Sequence, residues 1–383
     1  MKPRQYAGLA ILLTVAIIVA AVKLWPDSGS GPNTNPDPPD QITATGIIGG
    51  KVAFFQDPDI VNFLKEKYGL TVEFKRVPSI EMINQCQSGL DYCWPSSQNA
   101  GETIKDQLGT AVLGSEIIFN SPLVMYTWAP IADTLIAQDI VEKSGDTYYI
   151  VDLPRLVNMI DDETAWADIG MSQLYGPVRI LTTDPTQSNT GYSFAGLLAN
   201  TLNGGKVVDE NAARELAPQL DKFFDKLGLL QVTTTQLFEQ FMTQGMGAYP
   251  IIAAYESNLI EYLLLHQTPD TQEQIRQNVR TLYPKPTVWT SQPMIALTPA
   301  GQRLVTALRD PEIQRLGWEH HGMRTAVPGV VNNVAALGVP GVPQTIDSVI
   351  PMPGPAAMDI IIQALSAPSA AATPVASRRD EYL

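Results

Sequence analysis

The stretch Asp57-Pro-Asp-Ile-Val-Asn-Phe-Leu-Lys-Glu-Lys-Tyr68, followed by Gly69 and then Leu70-Thr-Val-Glu-Phe74, decides the fold. Asp57-Pro58 is a helix start: a carboxylate can accept an orphan N–H, and proline suits the first helical position. Gly69 can take the left-handed conformation that ends a helix. Leu70, Val72 and Phe74 then alternate with polar residues, which is the period of a strand. Upstream, Lys51-Val-Ala-Phe-Phe55 reads as the preceding strand. Downstream, Ser79 is expected to cap a helix running to Cys86 and stopped by Gly89. Asp91-Tyr-Cys-Trp94 is the next strand and runs into Pro95-Ser-Ser97. A strand–helix–strand rhythm of this kind argues for a parallel sheet covered by helices on both faces.

The rhythm continues along the chain. Val178–Thr183 reads as a strand and Asn189 opens a helix; Ala212–Leu227 and Thr235–Thr243 are amphipathic helices. Thr287–Leu297 is extended, and Pro299 begins a helix ending near Arg309. No internal repeat interrupts the pattern. A chain of 383 residues exceeds one ordinary core and suits two. Its formal net charge of −14 makes a nucleic-acid partner unfavourable. An anionic small ligand is not excluded by that charge, because backbone N–H groups can line a buried site.

The N-terminus bears on the compartment. Lys2 and Arg4 precede an uncharged run, Ala7–Val22, flanked by Tyr6 and Trp25. This reads as a single-pass transmembrane anchor with the bulk of the chain outside the cytoplasm. A cleaved signal peptide, with Val19–Ala21 as a small-residue cleavage site, is the rival reading. Pro26–Asp40 is rich in Pro, Asn, Asp, Gly and Ser and reads as a flexible tether, and Ser366–Leu383 as a disordered tail. The two cysteines, Cys86 and Cys93, exclude a multi-cysteine zinc site. They permit one short bridge in an oxidising compartment, or they are two buried thiols.

Small hydroxyl residues recur where strands hand over to helices: Ser79, Ser96 and Ser97, Ser121 in Asn120-Ser-Pro122, and Thr186, Ser188, Asn189 and Thr190. In open α/β sheets, ligands bind beyond the carboxyl ends of the strands, where helix N-termini offer unpaired N–H groups. Each such residue alone reads equally as a helix cap. Together, drawn from both halves of the chain, they read as one cleft.

Three stretches carry a family resemblance: Gly114-Ser-Glu-Ile-Ile-Phe-Asn-Ser-Pro-Leu-Val124, Thr183-Asp-Pro-Thr-Gln-Ser-Asn-Thr-Gly-Tyr192 and Pro250-Ile-Ile-Ala-Ala-Tyr-Glu-Ser-Asn-Leu259. In order and spacing they resemble type 2 periplasmic solute-binding proteins, nearest the molybdate- and phosphate-binding branch, over roughly residues 42–365. The resemblance implies an α/β, two-lobed periplasmic-binding-protein-like fold, each lobe a mainly parallel sheet flanked by helices. It places lobe one at 42–127 plus 287–365 and lobe two at 128–286, behind an N-terminal segment (1–25) and a tether (26–41), with a tail at 366–383. It implies a ligand site at Ser79, Ser97, Ser121, Ser188, Thr190 and Tyr255. It also implies a small-molecule or oxyanion ligand, no cofactor, and an ABC-type permease as partner. No clear Arg occupies the matched loops, a departure from the oxyanion binders. Lys51 could supply a charge, but as a lysine flanking a strand it is expected to face solvent.

Two other functions are weighed. A binding or sensor domain of a surface complex would keep the fold and drop the transporter. A hydrolytic enzyme is disfavoured, because His266, His320 and His321 sit in neither a Gly-x-Ser-x-Gly elbow nor a His-Glu-x-x-His helix. Asp161-Asp162-Glu163 lacks the alternation of a calcium loop and reads as a solvated helix start, and Gly46-Ile-Ile-Gly-Gly-Lys51 lacks phosphate-loop spacing.

Overall fold

Ile42–Ile48, not Lys51–Phe55, forms the first strand, β1. The chain breaks at Gly49-Gly50, and Lys51 becomes the N-cap of a short helix, Val52–Gln56, that buries Phe54 and Phe55. A four-residue apolar run carries no periodicity of its own, so the break ahead of it decides between strand and helix. The computed structural model describes residues 40–366 apart from Leu229 and Gln267. The expected anchor, nearly all of the tether, and the tail beyond Ser366 lie outside the described residues. Among the described residues, no helix is long and apolar enough to cross a membrane.

The remaining strands are β2 (Leu70–Arg76), β3 (Tyr92–Trp94), β4 (Gly114–Trp128), β5 (Val141–Ser144), β6 (Thr147–Ile150), β7 (Ile251–Tyr255), β8 (Val279–Pro284), β9 (Trp289–Ala296) and β10 (Arg324–Thr325). In the first lobe, β1 lies between β2 and β3 and is parallel to both. β3 pairs antiparallel with β9, and β9 with the Gly114–Pro122 half of β4. β10 lies antiparallel on β4, Arg324 opposite Asn120. In the second lobe, Leu123–Trp128 of the same β4 runs antiparallel to β7 and β8. β8 is parallel to β6, which forms a hairpin with β5.

Both sheets are therefore mixed, where mainly parallel ones were expected. The strands that cross between the sheets impose this: β4 passes outward and β8–β9 return beside it, so their pairings are antiparallel. The expected strand Val178–Thr183 makes only single bridges, Leu181 to Ile252 and Thr183 to Gln231. Asp161 ends the helix Leu153–Asp161 instead of starting one.

Alternation along the strands builds a core on each face of each sheet. Leu123, Met125, Ile251 and Ala253 face the helices Leu153–Asp161, Asn189–Leu202 and Glu210–Asp225. Val124, Tyr126, Ile252 and Ala254 face Thr234–Gln244 and Glu256–Leu265. In the first sheet, Ile48, Trp94, Phe119 and Met294 share a face with Phe54, and Ile47, Cys93 and Ile295 share the other with Met82 and Ile104. Beyond β10 the chain changes sides. Leu337, Val339 and Val342 join one second-lobe core, and Ile350, Ala357, Met358 and Ile361 the other. β9, the helices Pro299–Leu308 and Pro311–His321, and β10 pack with the first sheet.

Behind the crossing, Arg324 of β10 forms a two-pronged ion pair with Glu256, the first residue of Glu256–Leu265, at 2.6 and 2.8 Å. The Tyr283 hydroxyl donates to the same carboxylate at 2.7 Å, and Arg324 also donates to the carbonyls of Pro343 and Gln344. Exposure is 4% for Arg324 and 1% for Glu256. Removing one member of such a pair leaves an uncompensated buried charge, which costs about 3–5 kcal/mol. Arg324→Met is expected to lower the unfolding free energy by that amount in urea melts, and Arg324→Met with Glu256→Gln to recover part of it. Equal stability of the wild type and the single variant would contradict this.

Cys86 and Cys93 are joined in a disulfide, Cα atoms 6.0 Å apart, because Cys93 of β3 points to the face on which Cys86 ends the helix Ser79–Gln85. The loop closed is short, and its chain entropy is worth roughly 2–3 kcal/mol. The double variant Cys86→Ala, Cys93→Ala is expected to lose that much stability, and the wild type to show no free thiol at these positions under non-reducing conditions.

Candidate functional site

The loops after β1 and β3 meet the N-terminus of Asn189–Leu202 at one point. Asn189 makes the junction: its amide donates to the Ser96 carbonyl at 2.7 Å and to the Tyr255 hydroxyl at 2.9 Å. The turn before it is held by Asp184, which accepts from the Thr186 N–H and from Gln187. Gly191 lets the helix start close to that turn, since a Cβ there would lie 2.1 Å from the Thr183 carbonyl oxygen. Its N–H donates to the Thr183 hydroxyl at 2.9 Å.

On the first lobe, Ser79 is not a cap. Pro78 precedes it at the cap position, and Ser79 Oγ accepts the Ser96 N–H at 2.9 Å. Ser97 does cap the helix Gln98–Leu108, with Oγ accepting from the Ala100 N–H at 3.3 Å. Between them, Ser96 Oγ accepts from Lys51 Nζ at 2.7 Å and from the Gly50 N–H at 3.4 Å. Lys51, expected at the surface, is buried; it also reaches the carbonyls of Trp94 and Pro95 and lies 4.9 Å from the centre of the Trp94 ring. Burial pushes its ammonium down from the ordinary lysine range to about 7.

Ser121 stands at the crossing point of β4, opposite Thr290 of β9. Directly opposed residues share a face of the sheet. Ser121 is 2% exposed and its hydroxyl has no partner within the protein, one of few such buried groups among the described residues. A buried hydroxyl without a partner is unusual enough to require a reason.

On the second lobe, Ser188 occupies the cap position without a capping bond, and Thr190 Oγ1 pairs with Thr234 Oγ1 at 2.6 Å. Tyr255 ends β7, its carbonyl receiving the Tyr126 hydroxyl at 2.7 Å and its N–H donating to Asn258. Burial raises the pKa of its phenol, and hydrogen bonds with Thr190, Thr290, Ser193 and Asn189 act against that rise. The structure thus brings Ser79, Ser97, Ser188, Thr190 and Tyr255 to one hydrogen-bonded junction or its immediate neighbours. Ser121 is tied to it through strand register with Thr290. Sequence reasoning weighed Lys51 as a source of charge but set it at the surface, and it left out Asn189 as the bridge, Ser193 and Thr290. Gly49-Gly50 marks the break in the chain ahead of Lys51, but no local signal shows that its side chain is buried.

Beside the junction lies a cavity of about 490 Å³ between the starts of Gln98–Leu108 and Asn189–Leu202. Its walls include Ser97, Asn99, Tyr192, Trp289 and Ser291, and none of its lining residues is charged.

No protein-family model and no curated protein matches this sequence. Solved structures do. The substrate-binding protein of an ABC transporter from Agrobacterium tumefaciens superposes with TM-score 0.53 at 14% identity, over 87% of this chain and 96% of that one. Iron-bound HitA from Pseudomonas aeruginosa gives 0.55 at 11% identity, over 84% and 99%. The ferric binding protein from Campylobacter jejuni gives 0.52 at 11%, over 84% and 97%. These likenesses establish the fold: the chain is an α/β protein with the two-lobed architecture of periplasmic binding proteins.

Because Asn189 spans the two lobes, its loss is expected to favour a more open arrangement. Asn189→Ala should show a larger radius of gyration than wild type in small-angle X-ray scattering of the soluble region. An unchanged radius would mean that the amide does not hold the lobes together.

Proposed function

We propose that this protein is an extracytoplasmic solute-binding protein that captures a small anionic ligand between its lobes and delivers it to an ABC-type permease. The observation that carries the reading is the state of the first-lobe hydroxyls. A serine oxygen has two lone pairs and one proton. At Ser79, Ser96 and Ser97 an N–H or ammonium donor already occupies the acceptor side, from Ser96 N, Lys51 and Ala100 respectively. At Ser96 the Gly50 N–H takes the second lone pair, so its proton is left to donate; Ser79 and Ser97 keep one lone pair and one proton each, and all three can donate to an acceptor-rich partner. Ser121, with no partner of its own, adds a fourth. A hard cation would instead ask for carboxylate oxygens. The donors here suit an oxyanion, in keeping with the molybdate/phosphate branch that the sequence resembles.

Ser188, Thr190 and Tyr255 contribute from the second lobe, so ligand contacts arise in the closed arrangement and favour it. The N-terminal apolar run, Ala7–Val22, supports export and retention at the outer face of the membrane. A tether of that length would keep the receptor near its permease at high effective concentration.

Native mass spectrometry of the purified soluble region is expected to show a co-purified small anion, and molybdate or sulfate to raise the melting temperature. Losing one hydroxyl donor to a bound, buried acceptor costs ~1–3 kcal/mol, so Ser79→Ala and Ser97→Ala should each weaken binding about tenfold or more. If neither substitution changes affinity for an anion that the wild type binds, the site is misplaced.

A further inference from the structure

We propose that Lys51 is the positioning residue that sets the sign of the ligand: its ammonium, seated on Ser96, orients that hydroxyl toward a bound anion and supplies the opposing charge. The inference rests on the anionic reading above and deepens it. Lys51 is 2% exposed, and no carboxylate lies within ion-pairing distance of it among the described residues. The other deeply buried cation, Arg324, has Glu256 as its counterion. A buried ammonium without a counterion is costly, because its hydration has been replaced only by neutral acceptors. An anion held by the Ser96 hydroxyl would supply what the protein leaves out. The local backbone is built for this approach: a Cβ at Gly49 would lie 2.5 Å from Ser96 Oγ, so only glycine lets that hydroxyl reach the lysine.

The groups facing Lys51 are few. Trp94, Pro95 and Ser96 contact it from the end of β3, Ser79 stands behind Ser96, and Asn189 binds the far side of Ser96. Tyr255, reached through Asn189, is the one titratable group in this set, and it stays neutral through the pH range of interest because its pKa is raised. The Asp57–His320–His321 cluster is separate; His321 meets Phe54, whose ring in turn meets Trp94. Burial alone lowers the lysine pKa, with no neighbouring charge contributing. An anion favours the protonated form, so binding above about pH 7 takes up a proton. Affinity then falls as pH rises through that value, by linkage up to about tenfold per unit.

The test is calorimetric titration of the full chain with sulfate, molybdate and acetate, none of which titrates between pH 7 and 9, a range in which unperturbed histidines are mostly neutral. At least one anion is expected to bind, at least about tenfold more weakly at pH 9 than at pH 7, with proton uptake revealed by two buffers of different ionisation enthalpy. Lys51→Met, checked for folding by its melt, should lose about tenfold or more in affinity at pH 7 together with the pH dependence; Lys51→Arg should keep binding without that dependence. Wild-type affinity that is constant across the range without proton uptake would overturn the role of Lys51 while leaving the anion reading intact, and it needs no variant. A Lys51→Met protein that binds like wild type would do the same. Failure of the wild type to bind any of the three anions would overturn the anionic reading itself, and this inference with it.

Discussion

One strand serves two sheets, and the rest of the architecture follows from it. β4 gives Gly114–Pro122 to the first sheet and Leu123–Trp128 to the second without a break in its backbone. Each lobe therefore inherits its strand directions from the other. β9 and β8 must return beside β4, which makes the central pairings antiparallel. The proposed cleft lies where the strand passes from one sheet to the next, beside Ser121. Tyr255 comes to the same level because the register of β7 sets it opposite Leu123.

The two sides of this crossing are built with opposite electrostatic logic. Behind it, Glu256 and Arg324 neutralise each other, bond Tyr283 and the carbonyls of Pro343 and Gln344 as well, and are almost fully buried. In front, the Lys51 ammonium, the hydroxyls of Ser79 and Ser96 and the Asn189 amide converge. The two environments are one residue apart in sequence: Tyr255 faces the hydroxyl cluster and Glu256 the ion pair. A single helix start thereby joins the ion pair to the hydroxyl cluster.

Much of the fold was legible because its signals are local. Asp57-Pro58 and Gly69 bound a helix as expected, with Asp57 accepting from the Asp59 N–H and Gly69 in the left-handed conformation. Leu70–Arg76, Asn189–Leu202 and the Pro299 helix also stand close to their expected places. What was not legible depends on distant partners. Whether Val52–Phe55 is strand or helix turns on Gly49-Gly50 and on the aromatic packing of Phe54 against Trp94 and Phe119. The side on which residues beyond β10 pack is decided by helix Pro355–Ser366 meeting Glu210–Asp225, a contact with no local signature. At the site, hydroxyls at strand ends were readable as a pattern. The burial of Lys51 was not, since nothing adjacent to a lysine in sequence tells whether its amine meets water or three backbone and side-chain oxygens.

The disulfide between Cys86 and Cys93 ties the end of the Ser79 helix to β3, the strand that carries Ser96 and Ser97. Ser79 lies before the closed loop and Ser96 and Ser97 after it, so the crosslink fixes the two segments that carry them relative to each other. Part of the conformational entropy of arranging them is therefore lost during folding, a term that the proposed association would be spared. On the proposed reading this makes the jaws unequal: one is crosslinked beside its hydroxyls, and adaptation to the shape of a ligand falls to the other.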